Sequence, residues 1–141
     1  RSIFVEAESR RIGSVQIPDD LIERMRASPC LSIEATRPAR IEFLLRDYAY
    51  LGDDEEALKQ KIDAMRTVQS NETLSAWRAL ADSGDLRALF GEFIDRHYDP
   101  LYQRSQNRNF PGFSDAAVFA TDDLSPDSLQ MLASRITREL R

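Results

Sequence analysis

The sequence predicts a small α/β fold in which a helical insertion interrupts a parallel sheet. Three apolar runs with strand-like composition occur, at residues 3–7, 30–34 and 116–120. A helical pattern lies between the first two runs, and strand–helix–strand is the order of a βαβ unit, whose strands run parallel. A long stretch of helical spacing, at about residues 38–108, separates the second run from the third. The total of 141 residues suits one domain.

The N-terminal part of the chain provides the first strand and the helix that leads to the second. After the first strand we predict a connection over Gly13–Ile17. Pro18 suits the first turn of a helix, and Asp19 and Asp20 beside it oppose the positive end of the helix dipole. Pro29 ends this helix, and the second strand, "CLSIE", follows at once.

The helical insertion is predicted from apolar residues that repeat at three- and four-residue spacing from Pro38 onward. The acidic run "GDDEE" ends the first of these helices and begins the next. The longest helical pattern begins at Leu86 and reaches the segment "HYDPLY". Because Pro100 lacks the N–H that the helix ladder needs, we expect the long helix to end or bend near Asp99.

The C-terminal part of the chain is predicted to return to the sheet. A loop is expected over Asn107–Ser114, and the third strand lies in "AAVFA". Ser125 is a good N-cap for a closing helix, and Pro126 fits its first position. Apolar residues at helical spacing continue to the end of the chain, so this helix has one face for a core.

The overall composition limits the classes of function. Hydrophobic residues make up 42% of the chain, which is enough to build a core. The net charge of −5 and the pI of about 4.9 argue against a nucleic-acid surface that covers the whole molecule, although a local basic site stays open. No apolar run reaches the ~20 residues that a membrane span needs. Cys30 is the single cysteine, so no internal disulfide can form and a reducing compartment fits.

The first dense group of polar residues follows the predicted first strand. Glu6 and Glu8 point to the same side of that strand, and Ser9, Arg10 and Gly13 come next. Ligands collect at the carboxyl ends of strands in open parallel sheets, where a carboxylate can hold Mg²⁺ or act as a general base. Gly13 can let the backbone approach a ligand closely. The alternative is a strand that simply ends in solvent and a glycine that only turns the chain.

Arginines follow two of the predicted strands. They are Arg10, Arg11, Arg37 and Arg40. Guanidinium forks suit phosphate and diphosphate groups, so these residues are candidates for binding a phosphate-bearing substrate. Arginines on connecting segments are also common solubility features, and this second interpretation stays open.

The segment "DRHYDPLYQRS" is the second dense group, and it contains the only histidine, His97. A proton shuttle is one interpretation of His97, and a solvated histidine at a helix end is the other. Cys30 lies in an apolar strand without a CxxC partner and is interpreted as a buried small residue. The chain shows no zinc-ligand spacing, no GxxxxGK[ST] loop and no GxSxG motif, so neither a catalytic residue nor a metal ligand is assigned. The remaining candidates of this second cluster are Tyr98, Asp99 and Tyr102.

Two motifs resemble segments of the bacterial tRNA 2-selenouridine synthases. The first is the family's E-x-E-S-R-x-I-G segment, followed by a short gap, an isoleucine–proline pair and an amphipathic helix. It matches Glu6, Glu8, Ser9, Arg10, Ile12, Gly13, Ile17 and Pro18. The second is the family's Y-Y-D-P-x-Y segment, which matches "YDPLY" with His97 in place of the first tyrosine. The resemblance covers essentially the whole chain, although the helices between the motifs match only in pattern.

The resemblance implies a fold, a reaction and a set of substrates. The expected fold is part of a P-loop-kinase-like parallel sheet, with Glu6, Glu8, Ser9 and Arg10 near the phosphate site. Members convert wobble 2-thiouridine in tRNA to 2-selenouridine through an S-geranylated intermediate, using geranyl diphosphate and selenophosphate. The resemblance therefore implies tRNA as the partner, no DNA, no cofactor held by this chain, Mg²⁺ as an option and a cytoplasmic enzyme.

Members of that family also carry a rhodanese-like domain with a catalytic cysteine and a Walker-type phosphate loop ahead of this segment. Because the sequence opens on Arg1 and contains neither feature, we expect it to be the C-terminal part of such an enzyme, inactive alone. Two rival interpretations stay open. One is a non-catalytic module whose helices bind a partner, and the other is a relative of small-molecule kinases.

Overall fold

The computed structural model describes residues 3–7 and 10–140. These residues form a mixed α/β structure that is mostly helical and contains two two-stranded sheets. The chain divides into two compact units. The first unit comprises the described residues within Arg1–Glu34, Tyr102–Thr121 and Ser125–Arg141, and the second comprises Ala35–Leu101 and Asp122–Leu124. Among the described helices, none is both long and apolar enough to cross a lipid bilayer.

The helices and strands of the described residues follow one another along the chain with short connections. The strands are β1 (Arg11–Ile12), β2 (Val15–Gln16), β3 (Leu31–Ala35) and β4 (Ala117–Thr121). The α-helices are α1 (Asp19–Arg26), α2 (Arg37–Asp47), α3 (Tyr50–Asp53), α4 (Glu55–Ala64), α5 (Asn71–Asp82), α6 (Leu86–Phe93), α7 (Asp99–Asn109) and α8 (Pro126–Glu139). A π-helical turn covers Ile94–Tyr98, and 3₁₀ turns cover Met65–Thr67 and Pro111–Asp115.

A hairpin replaces the connection predicted over Gly13–Ile17. Strands β1 and β2 pair antiparallel, with Arg11 opposite Gln16 and Ile12 opposite Val15. The turn between them is possible because Gly13 adopts a φ of +60°, which a residue with a side chain rarely adopts. The prediction missed the hairpin because each strand is only two residues long, too short for a visible alternation.

The strand predicted over residues 3–7 is wrong for the structure as described. Ile3, Phe4 and Val5 are exposed and belong to no strand. A strand needs a neighbour to accept and donate its backbone hydrogen bonds, and an apolar run alone does not supply one. The contact that holds this segment comes instead from a side chain, because Gln106 Nε2 donates to the carbonyl oxygen of Ala7 at 2.7 Å.

The other predicted strands form a second small sheet in the first unit. Strands β3 and β4 are hydrogen-bonded neighbours and lie within one residue of the predicted runs. Phe119 of β4 packs with Leu132 and Ile136 of α8, and all three are buried. This is a small core, since each sheet of the described chain has only two strands. The larger P-loop-kinase-like parallel sheet stays a prediction.

The second unit is a helical bundle whose helices begin at capping side chains. Thr36, Asp54, Ser70 and Asp85 each accept a hydrogen bond from the backbone N–H three residues later. These bonds satisfy N–H groups that a helix leaves without an internal partner, which defines where each helix begins. The core of the unit gathers around Trp77, which has no exposed surface. Its other fully or almost fully buried members include Leu58, Ile62, Leu74 and Leu89.

The long helix, expected to end or bend near Asp99, does not end there. Asp99 has φ −63° and ψ −46°, which are helical angles rather than the extended ones expected before a proline. The π-helical turn at Ile94–Tyr98 ends two residues before Pro100. Its wider turn moves the carbonyl groups that a proline ring would otherwise meet, so α7 can begin at Asp99 and extend to Asn109. The loop predicted from Asn107 therefore begins later.

Truncating a buried side chain of the second unit should unfold it more easily. Ile62 has no exposed surface, so we expect Ile62→Ala to lower the free energy of unfolding by about 2–5 kcal/mol. Val68, which is 53% exposed in the same unit, is the matched control, and Val68→Ala should cost about 0.5 kcal/mol or less. Urea unfolding followed by Trp77 fluorescence measures both, and equal losses would contradict the assigned core.

Candidate functional site

The predicted site residues divide between the two units. Glu6, Arg10, Gly13 and Tyr102 lie in the first unit, whereas Arg37, Arg40, Tyr98 and Asp99 lie in the second. Glu8 and Ser9 fall outside the residues that the structure describes. The predicted second cluster is thus assigned partly to each unit, with Tyr98 and Asp99 in one and Tyr102 in the other.

In the first unit, Glu6 borders two depressions. One is a cavity of about 450 Å³ that Tyr102 also lines, so one of the two predicted tyrosines shares a cavity with a predicted acid. The other is a small depression of about 40 Å³ that Arg10 lines as well. The guanidinium of Arg10 forms an ion pair with Asp19 at the start of α1. Arg10 is therefore brought close to Glu6, but its charge already has a carboxylate partner.

Sequence reasoning missed Gln106, which holds the segment that carries Glu6. Gln106 is only 2% exposed, and its side-chain amide donates to the carbonyl oxygen of Ala7. Burying an amide without such a partner would cost about 1–3 kcal/mol. The hydrogen bond to Ala7 therefore offsets the cost of burying the Gln106 side chain. A glutamine in a polar helix gives no sequence signal of burial, because its neighbours Gln103, Asn107 and Arg108 are equally polar and exposed.

In the second unit, two arginine–aspartate forks join α2 to the segment around the π-helical turn. Arg37 Nε and Nη2 donate to both carboxylate oxygens of Asp95 at 2.8–3.1 Å. Arg40 Nη1 and Nη2 donate to Asp99 Oδ2 and Oδ1 at 2.8 and 2.5 Å. The spacing brings the pairs together, because residues three or four apart lie on one helix face. Two of the predicted phosphate-binding arginines are thus engaged by carboxylates of the same unit.

The forks set the charge state of their members. The hydrogen bond to Asp95 raises the pKa of Arg37, and the hydrogen bond to Asp99 raises the pKa of Arg40. The hydrogen bond from Arg37 also holds the pKa of Asp95 below its ordinary value, and the charges of Arg40 and Arg96 act in the same direction. Asp95 is consequently an ionised acceptor and a poor general base.

Gly91 makes the approach of Arg37 possible. A Cβ atom at this position would overlap the Arg37 guanidinium, which lies against the backbone of α6. The sequence alone gave Gly91 no role, because a glycine inside a helix indicates only a lower helix propensity at that residue. The glycine instead leaves room for a charged group of a neighbouring helix.

A mostly apolar cavity of about 570 Å³ opens inside the second unit. Aromatic and aliphatic side chains form most of its wall, including Phe43, Leu44, Leu51, Phe90 and Phe93. Arg40, Lys61 and Tyr98 also line it. Burial raises the pKa of the Tyr98 phenol, so this hydroxyl stays protonated and can donate a hydrogen bond. Lys61 forms no ion pair with any described residue. The cavity can therefore receive an apolar group together with a negative charge.

His97 is partly buried rather than a free surface group. Its ring lies edge-on to Trp77 and Tyr98, with centroid distances of 6.4 and 5.0 Å. Its Nδ1 lies 3.2 Å from Nε2 of Gln69, which also donates to the backbone oxygen of Arg96 at 2.9 Å. That second bond directs the N–H groups of the amide toward the ring, so Nδ1 accepts. Burial lowers the pKa of His97 and favours the same neutral form.

Metal ligands do not gather anywhere in the described part of the chain. No group of three or more His, Cys, Asp or Glu side chains there is arranged to hold a metal ion. The acids around Arg37 and Arg40 are bound to guanidinium groups instead.

Comparison with known proteins identifies related sequences. A family model described as the tRNA 2-selenouridine synthase AAA domain matches residues 1–76. The tRNA 2-selenouridine synthase of Bordetella bronchiseptica is 29% identical over 128 residues, covering 72% of this chain and 35% of that protein. The enzymes of the same name from Cupriavidus necator and Cupriavidus pinatubonensis are 48% identical over 48 residues and 43% identical over 60 residues. These two matches cover 34% and 43% of this chain.

The chain spans about a third or less of the length of each of these relatives. The covered share is 35% for the Bordetella protein, and 13% and 16% for the two Cupriavidus proteins. No solved structure matches the chain.

Replacing Gly91 by alanine should open the Arg37–Asp95 fork. The added methyl group competes with the guanidinium for space, so the pKa of Asp95 should rise toward the ordinary value of about 3.9. An NMR titration of the Asp95 carboxyl measures this directly. The melting temperature is less diagnostic, because alanine favours a helix by up to about 1 kcal/mol over glycine. Gly112→Ala is the control, since its Cβ would meet only ordinary contacts in the first unit.

Stability should decline on mild acidification because of His97. Its folded pKa lies below the unfolded value of about 6.5, so the unfolded chain binds the proton more tightly. The contribution is therefore complete above about pH 6.5 and is lost as the pH falls toward the folded pKa. Urea unfolding at pH 7.5 and 5.5 should show a larger loss for the wild type than for His97→Gln. Equal losses in the two proteins would rule out this role for His97.

Proposed function

This chain belongs to the family of tRNA 2-selenouridine synthase AAA domains, and from that membership we propose that the native protein modifies tRNA. The family match over residues 1–76 is the observation that carries the proposal. It agrees with the resemblance of the E-x-E-S-R-x-I-G and "YDPLY" segments. Because the chain spans only part of its relatives, the activity is assigned to the full-length protein that contains this sequence.

The proposed reaction exchanges sulfur for selenium at the wobble base in two steps. In the first, the sulfur of 2-thiouridine bonds to C1 of geranyl diphosphate while the C1–O bond breaks and diphosphate leaves, and N3 of the base loses its proton. In the second, the selenium of selenophosphate bonds to C2 of the base while the C2–S bond breaks and geranylthiol leaves. Water then cleaves the Se–P bond and releases phosphate. Such an enzyme must hold an apolar chain with an anionic end, and it must also bind RNA.

The apolar cavity of the second unit is proposed to hold the geranyl chain. Its volume of about 570 Å³ lies within the ~300–1,000 Å³ of small-molecule sites, and its walls are largely aromatic and aliphatic. Lys61 supports this assignment, because it is a cation on the cavity wall without a carboxylate partner among the described residues. Arg40 also lines the cavity, but its guanidinium is bound to Asp99. It would therefore share its hydrogen bonds between Asp99 and a bound anion.

The residues Glu6, Glu8, Ser9 and Arg10 are proposed to border a phosphate or Mg²⁺ site in the intact protein. Support comes from the position of Glu6 beside Arg10 in one depression. The side chain of Arg10 is 47% exposed despite its ion pair with Asp19, so an incoming phosphate could compete for it. Gly13 lies in the hairpin turn that follows, where its φ of +60° is one that a residue with a side chain rarely adopts.

The function is tested with the native full-length protein. Incubation with tRNA that carries 2-thiouridine, geranyl diphosphate and selenophosphate should yield 2-selenouridine, detected by mass spectrometry of the digested nucleosides. Without selenophosphate, the S-geranyl nucleoside should accumulate. A protein that changes neither the thiouridine nor its geranyl derivative would contradict the proposal, and transfer of phosphate to a small molecule would favour the kinase interpretation instead.

Filling the cavity should block the first step selectively. Ala64 lines the cavity and is exposed at the end of α4, so Ala64→Phe can occupy the space without disturbing the core. We expect at least a tenfold rise in the KM for geranyl diphosphate, with selenation of pre-geranylated tRNA retained. Gln60→Phe, on an exposed position of the same helix that does not line the cavity, is the matched control. An equal KM for geranyl diphosphate in the two variants would contradict the assignment of this cavity to the geranyl chain.

A further inference from the structure

The net charge of the chain is unevenly divided between the two units. Counted over the sequence, the first unit has ten arginines and nine acidic residues, a balance of +1. The second unit has nine lysines and arginines against fifteen acidic residues, a balance of −6. The two values account for the total of −5. The acidic composition thus describes the second unit, and the first unit can still carry a basic surface.

The units also differ in how their cations are used. Within the second unit, ion pairs engage most of the basic side chains: Arg37, Arg40, Arg46, Lys59, Arg78, Arg87 and Arg96. In the first unit, Arg24, Arg104 and Arg108 form no ion pair with any described residue. Their positive charges are therefore not cancelled by a neighbouring carboxylate of this part of the chain.

Helix α7 presents two of these arginines on one exposed face. Arg104 and Arg108 are four residues apart, so their Cβ atoms lie about 6 Å from each other on the helix surface. Gln103 and Asn107, which share this side of the helix, are exposed as well. No acidic residue occurs between Asp99 and Asp115 in the sequence. This helix face therefore combines guanidinium and amide groups and has no carboxylate from residues 100–114.

The end of helix α1 extends this surface. Arg26 Nη2 donates to Oδ1 of Asn109 at 3.1 Å, which brings the last turn of α1 against the last turn of α7. Arg24 lies in the same last turn of α1 and is exposed. We define the arginine surface as Arg24, Arg26, Arg104 and Arg108 of these two helix ends.

We infer that the arginine surface of the first unit binds the phosphate backbone of tRNA. Phosphate contacts in nucleic-acid complexes come mainly from arginine and lysine, with asparagine and glutamine amides as further donors, which is the composition of this face. The inference rests on the proposed function, because that function supplies a polyanionic substrate. The acidic composition of the second unit also disfavours RNA binding there, since carboxylates repel phosphate.

The test measures tRNA binding of the full-length protein as a function of salt. Fluorescence anisotropy with labelled bulk bacterial tRNA gives the Kd between 50 and 300 mM salt. The double variant Arg104→Gln/Arg108→Gln should weaken binding on the order of tenfold or more at 0.1 M salt, and the slope of log K against log salt should become shallower by about two. Arg104→Lys/Arg108→Lys should retain most of the slope, because it keeps both charges.

The control removes two positive charges from the second unit instead. Arg78 and Arg87 are paired with Asp63 and Glu42, so Arg78→Gln/Arg87→Gln should leave the salt slope unchanged. Equal effects of the glutamine variants would overturn the arginine surface, as would normal tRNA binding by Arg104→Gln/Arg108→Gln. In both cases, continued formation of 2-selenouridine would leave the proposed function intact. A wild-type protein that neither binds nor modifies tRNA would overturn both.

Discussion

The second unit is organised by the packing of one continuous helical run against Trp77. The indole ring is fully buried, lies edge-on to Phe93 with centroids 4.9 Å apart, and directs its N–H to Glu92 at 3.4 Å. Aromatic contacts of this geometry add to the free energy of area burial and restrict rotation of the segment that carries them. With that segment oriented, Asp95 meets Arg37 and Tyr98 reaches the apolar cavity. The forks and the cavity of this unit therefore depend on the packing of Trp77 against Phe93, which also lines the cavity.

The π-helical turn explains how a proline-containing motif can take part in this arrangement. A proline inside an ordinary α-helix costs about 3 kcal/mol, and a broken helix would detach Asp99 from the orientation of Asp95. The wider turn at Ile94–Tyr98 lets the helical path continue through Pro100, so both carboxylates face helix α2. The forks themselves are half-exposed and contribute little to stability. Their consequence is chemical, because they occupy two arginines that otherwise suit phosphate groups.

Charge segregation gives the two units different chemical characters. The second unit combines an apolar cavity with a strongly acidic, internally paired surface, whereas the first exposes Arg24, Arg104 and Arg108, which form no ion pair with any described residue. In the proposed function, these properties correspond to two kinds of substrate, an isoprenoid diphosphate and an RNA. The overall charge of −5 conceals this division, since it argues only against a nucleic-acid surface that covers the whole molecule. The local balance of basic and acidic residues, rather than the total charge of the chain, decides where a polyanion can bind.

The sequence by itself determined the family and most helix positions, because short motifs and capping residues act through local chemistry. Ser125, for example, accepts from the backbone of Ser128 as an N-cap should, and α8 begins at Pro126 as predicted. Only the tertiary structure decided which polar groups meet. The pairing of Arg40 with Asp99, the burial of Gln106 and the room that Gly91 leaves for Arg37 join residues separated by up to 99 positions. The segment at residues 3–7 also could not be decided from the sequence. A strand forms only where a second backbone completes its hydrogen bonds, and these residues belong to no strand.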